Sequence, residues 1–183
     1  MYTYDGITLR KLRQETLPYL LELKNESYMT THQSSIVNDA DQQKWFDALD
    51  SHPNSPRNLV LEASLNDLNG HNTFGIFKLF GIDWVNRTAE VGWDVFKTFR
   101  GRRLGSKLVY AGTDFSFKIM ALRRLNAEIL VSNQASIRCA VVAGFIREGI
   151  KRQAVQKLGK YVDSAIYGAL ASEYISLAPE SKS

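Results

Sequence analysis

Apolar positions change period repeatedly along the chain, and each change marks an element. Ile7 and Leu9 stand two apart, the spacing of a half-buried strand, and Leu17, Leu20 and Leu21 then recur at helical spacing. Residues 24–40 are polar and carry no usable period. A structureless connection of that length is uncommon and usually lines a binding site. Gln42, Trp45, Phe46 and Leu49 mark a second helix with its last three apolar residues facing inward, ended by Pro53 and Pro56, which cannot continue it. From Asn58 onward the texture becomes short apolar runs at 59–63, 74–80 and 89–96, bounded by turn chemistry at 65–70 and 83–87. These predict a three-stranded antiparallel meander.

A longer amphipathic helix follows, with Leu104, Leu108, Ala111, Phe115, Ile119 and Leu122 stepping by three or four along one face. Leu125, Ala127, Ile129 and Val131 alternate as a strand, and residues 135–143 form a short helix closed by Gly144. Residues 145–151 and 161–171 read as two final strands joined through Leu158, Gly159 and Lys160. The order predicts an α/β fold, a mixed and mostly antiparallel sheet of about seven strands flanked by about four helices. One domain is expected over residues 1–175, with a flexible tail at 176–183 rich in Ser, Pro and charge.

Composition narrows the function classes. A chain of 183 residues with 44% hydrophobic content suits one compact core and excludes disorder as the main state. Lys and Arg number 23 against 19 acidic residues, a net charge of +4 that an anionic ligand explains and that falls short of a nucleic-acid-binding stripe. Cys139 is the sole cysteine, so an internal disulfide and a cysteine-based metal cluster are both excluded and no metal is expected. The amino terminus has no signal-peptide core, and no apolar run approaches the roughly eighteen residues of a membrane span. A cytoplasmic protein without membrane partners is the expectation.

The candidate chemistry lies in residues 91–108. A strand there runs into a loop bearing Arg100, Gly101, Arg102, Arg103 and Gly105, which opens directly into the amphipathic helix. A helix start exposes backbone N–H groups and a partial positive charge, so the loop is a ready anion site. Neither a Walker loop nor a dinucleotide fingerprint fits, since no Gly-Lys-Ser or Gly-Lys-Thr follows and no Gly-x-Gly opens the strand end.

On these residues the chain resembles the GNAT superfamily of N-acetyltransferases, whose pyrophosphate signature is Arg or Gln, two residues, Gly, one residue, then Gly or Ala. Arg100, Arg103 and Gly105 occupy those positions, with Arg103 standing where the family has glycine. Thr88 to Gly92 is similar to the start of the family's central strand, and Asn133, Ser136, Gly144 and Phe145 to its second acetyl-CoA element. Gly159, Tyr161 and Asp163 match the Gly-x-Tyr-x-Asp turn of the subgroup acting on ribosomal-protein amino termini, polyamines and amino sugars, and Lys24, Asn25 and Glu26 resemble its amino-terminal basic-Asn-acidic element. The similarity covers residues 7–174 with every element in order.

The resemblance implies direct transfer of an acetyl group from acetyl-CoA to a primary amine. Backbone N–H groups from Arg102, Arg103, Leu104 and Gly105, with Arg100, Gly101 and Ser106 around them, are expected to hold the pyrophosphate. In a helical first-turn conformation Arg103 replaces glycine without penalty; a positive φ is what it would not tolerate. The N–H of Val95 or Phe96 is expected to polarise the acetyl carbonyl. Glu90 or Asp94 is expected to take the amine proton; Ser136 matches the serine of the amino-terminal acetylating subgroup and is expected to hydrogen-bond the thiol, and Ala140, standing where many family members carry a tyrosine, rules out a tyrosine acid there. Asn133 is expected to contact the pantetheine arm or cap its helix. Tyr28, Trp84, Tyr161 and Asp163 are the expected acceptor contacts, with His32 beside them as a loop histidine of the kind usually solvated.

A lysine-like amine costs about 4.6 kcal/mol to deprotonate at pH 7 and an α-amine about 1 kcal/mol, which favours a peptide or protein amino terminus, or an amino sugar, over a polyamine. Two alternatives stand beside this reading. One is acetylation of an RNA-linked amine such as aminoacyl-tRNA, motivated by Arg123, Arg124, Lys151 and Arg152. The other is a non-catalytic acyl-CoA-binding module, motivated by Arg103 and the absent tyrosine. Edge pairing of the final hairpin offers a homodimer.

Overall fold

The computed structural model describes residues 1–26, 31–32, 37–49, 56–65 and 72–177. Eight strands form one sheet in the order β1-β2-β3-β4-β5-β6-β8-β7. The strands are β1 (Tyr2–Tyr4), β2 (Ile7–Lys11), β3 (Leu59–Leu65), β4 (Thr73–Asp83), β5 (Thr88–Val95), β6 (Arg124–Leu130), β7 (Ile146–Lys157) and β8 (Lys160–Leu170). The helices are α1 (Leu17–Glu26), α2 (Asp39–Ala48), α3 (Leu104–Asp114), α4 (Gln134–Val142) and α5 (Ala171–Leu177). The expected meander is β3, β4 and β5, antiparallel throughout. Among the described strands only β5 and β6 run parallel, joined by the α3 crossover.

Two elements exceed the expected count. Asp5 and Gly6, both at positive φ, turn β1 back onto β2, the backbone that an Asp-Gly hairpin turn requires. At the other end β8 stops at Leu170 and the chain enters α5, which runs through residues 176 and 177. Residues 178–183, the rest of the expected tail, lie outside the described residues, as do the turn at 66–71 and the segment 50–55.

Helices cover both faces. Alternation along β5 sends Ala89 and Val91 into a core with Phe77, Leu79, Leu108 and Leu125 beneath α3 and α4. On the opposite face α1 and α2 bury Leu20, Leu23, Val60, Ile76 and Phe96, with Trp45, Phe46 and Leu49 packed against them as the helical spacing predicts. Glu62 is fully buried on that side and is satisfied by Arg10 and Arg13 at 2.5 and 2.7 Å and by the Thr16 hydroxyl.

The feature that positions a site is where the sheet opens. β5 and β6 keep register only at Thr88, Ala89 and Glu90 against Arg124, Leu125 and Asn126. Beyond Glu90 they separate, while β5 stays paired to β4 up to Val95.

Candidate active site

The opening holds a cleft of about 420 Å³ whose walls are the end of α1, β4, β5, β6, the start of α4 and the 31–32 segment. That size suits a small-molecule site. The hydrogen-bond parity of β5 determines what its edge offers. The Phe96 N–H donates to the Phe74 carbonyl at 2.8 Å, so Phe96, and by the two-residue period Asp94 and Gly92, direct their backbone groups to β4. The N–H groups of Trp93 and Val95 therefore face the gap that β6 has left. Of the two expected donors, Phe96 has its N–H engaged by Phe74, whereas the Val95 N–H, and with it that of Trp93, is directed to the gap.

One turn further on, α3 begins without a side-chain cap and with no acidic residue in its first turn. Its first N–H groups thus lack the partner that a capping residue normally supplies, and the chain around them carries only cations. Gly101 has φ of 78°. Arg103 has φ of 59° and ψ of 14°, so the expected helical first-turn geometry is corrected: an arginine occupies the left-handed conformation that glycine adopts cheaply. Gly105 leaves a real cradle, because a Cβ there would lie 2.9 Å from Cys139 Sγ on α4. An uncapped helix start, a glycine cradle and an unpartnered buried Trp93 indole N–H fit a pyrophosphate with a thioester arm running into the opening.

The arginines do not act alike. Arg100 is tied back, with Nε on the Val95 carbonyl at 3.2 Å and Nη1 on Glu26 at 3.3 Å, which fixes the loop to β5 and α1. Arg102 lies over the Phe99 ring at 5.4 Å. Leu104 is buried, so only its backbone faces the site. Ser106 Oγ approaches Cys139 Sγ at 3.8 Å. Asn133 caps α4 by accepting the Ser136 N–H at 3.1 Å, and both residues line the cleft.

Glu90 and Asp94 share the cleft face of β5 but differ in state. Asp94 is ion-paired with Lys78 at 2.6 Å. Glu90 is exposed to the cleft and forms no ion pair among the described residues. Sequence reasoning missed the third carboxylate, Glu128 on β6. It binds Lys151 at 2.6 Å and has His32 Nε2 at 3.4 Å, while His32 Nε2 also sits 2.7 Å from the buried Ser164 hydroxyl. Burial works to raise the Glu128 carboxyl, but Lys151, Ser164 and His32 outweigh it and hold it below the usual range. Burial pushes His32 below its ordinary value, with Lys157 and Lys151 adding to the effect against Glu128. Lys24 was legible only as part of a motif, yet it too lines the cleft. Burial and the neighbouring Lys78 bring it down to about 8, against the pull of Asp94.

Three expected acceptor contacts lie away from the cleft walls. Trp84 sits in the β4–β5 turn with its indole N–H on the Pro56 carbonyl at 3.2 Å. Tyr161 is exposed on β8. Asp163 uses Oδ1 to accept the Gln153 N–H at 2.8 Å, holding an irregularity in β7. Tyr28 lies outside the described residues. Three basic residues of the RNA-linked reading are also engaged: Arg123 with the Asn86 carbonyl at 2.9 Å, Arg124 with Glu148, and Lys151 with Glu128. Among the described residues no group of His, Cys, Asp and Glu could hold a metal ion, and no helix is long and apolar enough to cross a membrane.

A parallel pair splayed beside an uncapped helix start leaves the N–H groups of Trp93 and Val95 facing a cleft that Glu90 and Glu128 also line. Residues 7–146 match the acetyltransferase (GNAT) domain, and the chain belongs to that family of N-acetyltransferases. It is 23% identical to a spermidine N(1)-acetyltransferase of Vibrio cholerae serotype O1 over 176 residues, 93% of this chain and 96% of the relative. It is 28% identical to a putative ribosomal N-acetyltransferase of Bacillus subtilis (strain 168) over 100 residues, 55% of each chain. The crystal structure of the spermidine N-acetyltransferase from Vibrio cholerae in complex with CoA and spermine superposes with a TM-score of 0.84 at 20% identity, covering 94% of this chain and 99% of that one.

Proposed function

We propose that the chain transfers the acetyl group of acetyl-CoA directly to a primary amine, and that a peptide or protein amino terminus, or an amino sugar, is the favoured acceptor. The coenzyme supplies an acyl group activated as a thioester. The N–H groups at the start of α3 bind its pyrophosphate, and Asn133 and Ser136 at the start of α4 meet the pantetheine arm. The Val95 and Trp93 N–H groups polarise the acetyl carbonyl, a contribution of about 3 kcal/mol per donor at the transition state. Glu90 accepts the proton of the incoming ammonium, directly or through one water, and Ser136 hydrogen-bonds the departing thiol.

The observation that carries this reading is that two strand-edge N–H groups and Glu90, a carboxylate with no ion pair among the described residues, share one opening. Charge supports the choice of acceptor. Asp94 and Glu128 are each neutralised by a lysine of this chain, and Lys24 adds a further cation, so little negative potential is left for a polycation. The spermidine N(1)-acetyltransferase is named for such a substrate; the cleft here suits one amine of low pKa better. The test is thiol release from acetyl-CoA with a panel of peptides, amino sugars and polyamines. Peptides or amino sugars are expected to give the higher kcat/KM, and spermidine turning over best would overturn the acceptor assignment.

A further inference from the structure

A histidine, a serine and a glutamate from three distant parts of the chain meet at one wall of the cleft. His32 lines the cleft from the 31–32 segment, Glu128 lines it from β6, and Ser164 stands behind them on β8, fully buried. His32 Nε2 lies 2.7 Å from Ser164 Oγ and 3.4 Å from Glu128 Oε1. The direction of these bonds fixes the imidazole tautomer. Ser164 has one hydroxyl proton, and its bond to Glu128, which helps to hold that carboxyl low, spends it there. The serine oxygen is then left to accept, as is the ionised carboxylate, which has no proton to offer. Nε2 therefore carries the hydrogen, and the lone pair of the neutral ring falls on Nδ1. The Nε2 edge is spent on the sheet, while 36% of the side chain stays exposed, which leaves the rest of the ring to the cleft.

Glu90 shares this face of the sheet. Across the β5–β6 pair it stands beside Asn126, and Glu128 lies about 7 Å further along β6 on the same side. The Lys151 ammonium, 2.6 Å from Glu128, is held charged by that carboxylate and also by Glu90, so both acidic groups act on one cation. Burial favours the neutral imidazole of His32, Glu128 opposes it, and Lys157 and Lys151 on β7 reinforce it. Lys24, Lys78 and Asp94 are the other charged groups among the described residues that line the cleft.

We propose that His32 is a second proton station of the reaction: Glu90 takes the first proton of the acceptor ammonium and passes it through cleft water to His32 Nδ1. The inference rests on the acetyl-transfer reading above. Forming the amide removes two protons from the ammonium nitrogen. One ends on the coenzyme A thiolate, as the C–N bond forms and the C–S bond breaks. The other has to leave Glu90 before that carboxylate can act again, and His32 carries it. Nδ1 takes the proton, the ring becomes imidazolium with Nε2–H still on Ser164, and the proton is then given up to solvent. Glu128, 3.4 Å away, stabilises the imidazolium while it lasts.

The experiment measures kcat across pH for the full chain, at saturating acetyl-CoA and the best amine of the panel above. His32→Gln is expected to lower kcat about tenfold, less than loss of the primary base, and to remove an inflection that the unaltered chain shows below pH 6.5. Its KM for acetyl-CoA and its thermal shift with coenzyme A are expected to stay unchanged, which separates loss of proton transfer from loss of the fold. Added imidazole is expected to restore much of the kcat of His32→Gln and none of that of Glu90→Gln. Ser164→Ala keeps the ring and frees its tautomer, so it is expected to lose less than His32→Gln; an equal loss would assign the effect to the buried bond and overturn the proposal. So would an unchanged kcat and pH profile in His32→Gln, or a loss that imidazole does not restore. Failure of the unaltered chain to acetylate any amine overturns the acetyl-transfer reading itself, and this inference with it.

Discussion

The two halves of the opening are made from different materials. At the start of α3 the groups proposed to work are backbone N–H groups, and Arg100 beside them binds back to Val95 and Glu26. Across the cleft the working groups are side chains delivered by six separate places: Lys24, His32, Lys78, Glu90, Glu128 and Ser136. A backbone site tolerates exchange of residue type as long as φ and ψ survive. A side-chain site loses its chemistry with one atom. That contrast explains how Arg103 can stand at a glycine position without altering what the loop presents.

Substitutions in each half sharpen or break the contrast. Glu90→Gln keeps shape and removes the base, and kcat/KM for any accepted amine is expected to fall about 100-fold or more with little change in melting temperature. Asp94→Asn, whose carboxylate already serves Lys78, is expected to cost less; equal losses would show that the two carboxylates act as one unit. On the backbone side Gly105→Ala sets a methyl 2.9 Å from Cys139 Sγ. It is expected to destabilise the fold by about 1–3 kcal/mol and raise the KM for acetyl-CoA, and Cys139→Ala in the same chain is expected to recover most of the stability.

Arg103→Gly relieves an arginine from φ of 59° and is expected to stabilise the fold by about 1 kcal/mol in urea unfolding. Coenzyme KM should move little, because the N–H groups stay in place; a tenfold rise would show that the side chain, not the backbone, holds the anion. The smallest effect is on the pH dependence of stability. Lys24 falls from 10.5 to about 8 on folding, so between those values the unfolded chain binds more protons and stability rises with pH. Lys24→Met is expected to flatten that rise in thermal melts across pH 8 to 10.5. His32, also lowered, gives the same sign near its ordinary value of 6.5: stability falls as the pH drops below it, and His32→Gln is expected to weaken that fall.

The same contrast decides what could be read without coordinates. Periodicity located β2 to β8 and α1 to α4, because burying one face leaves a pattern of period two or 3.6. It passed over β1, whose tyrosines and threonine do not alternate strongly, although Asp5-Gly6 was a usable turn signal. It also passed over α5, which continues the apolar texture of β8. The start of α3 was legible, since glycine and arginine before an amphipathic helix have one economical explanation. The sign of φ at Arg103 was not, because residue type alone argues against it. Glu128 alternates with Ala127 and Ile129 like any solvated strand residue, and nothing local places it in the same cleft as Glu90. His32 stands in an aperiodic stretch, and its partner Ser164 is 132 positions away.

Asp114 closes α3 at the end opposite the uncapped start. It receives the Tyr2 hydroxyl from β1 and the Tyr174 hydroxyl from α5 at 3.1 Å, with Lys118 at 2.8 Å. Strand β1 and helix α5 are therefore moored to a single carboxylate on the helix whose start is the proposed anion site. Two elements from opposite parts of the sequence thus share one anchor, so a change at either hydroxyl is felt at the other through Asp114. A tag that drags either tyrosine from its mooring would reach the far end of α3 through a rigid rod three turns long.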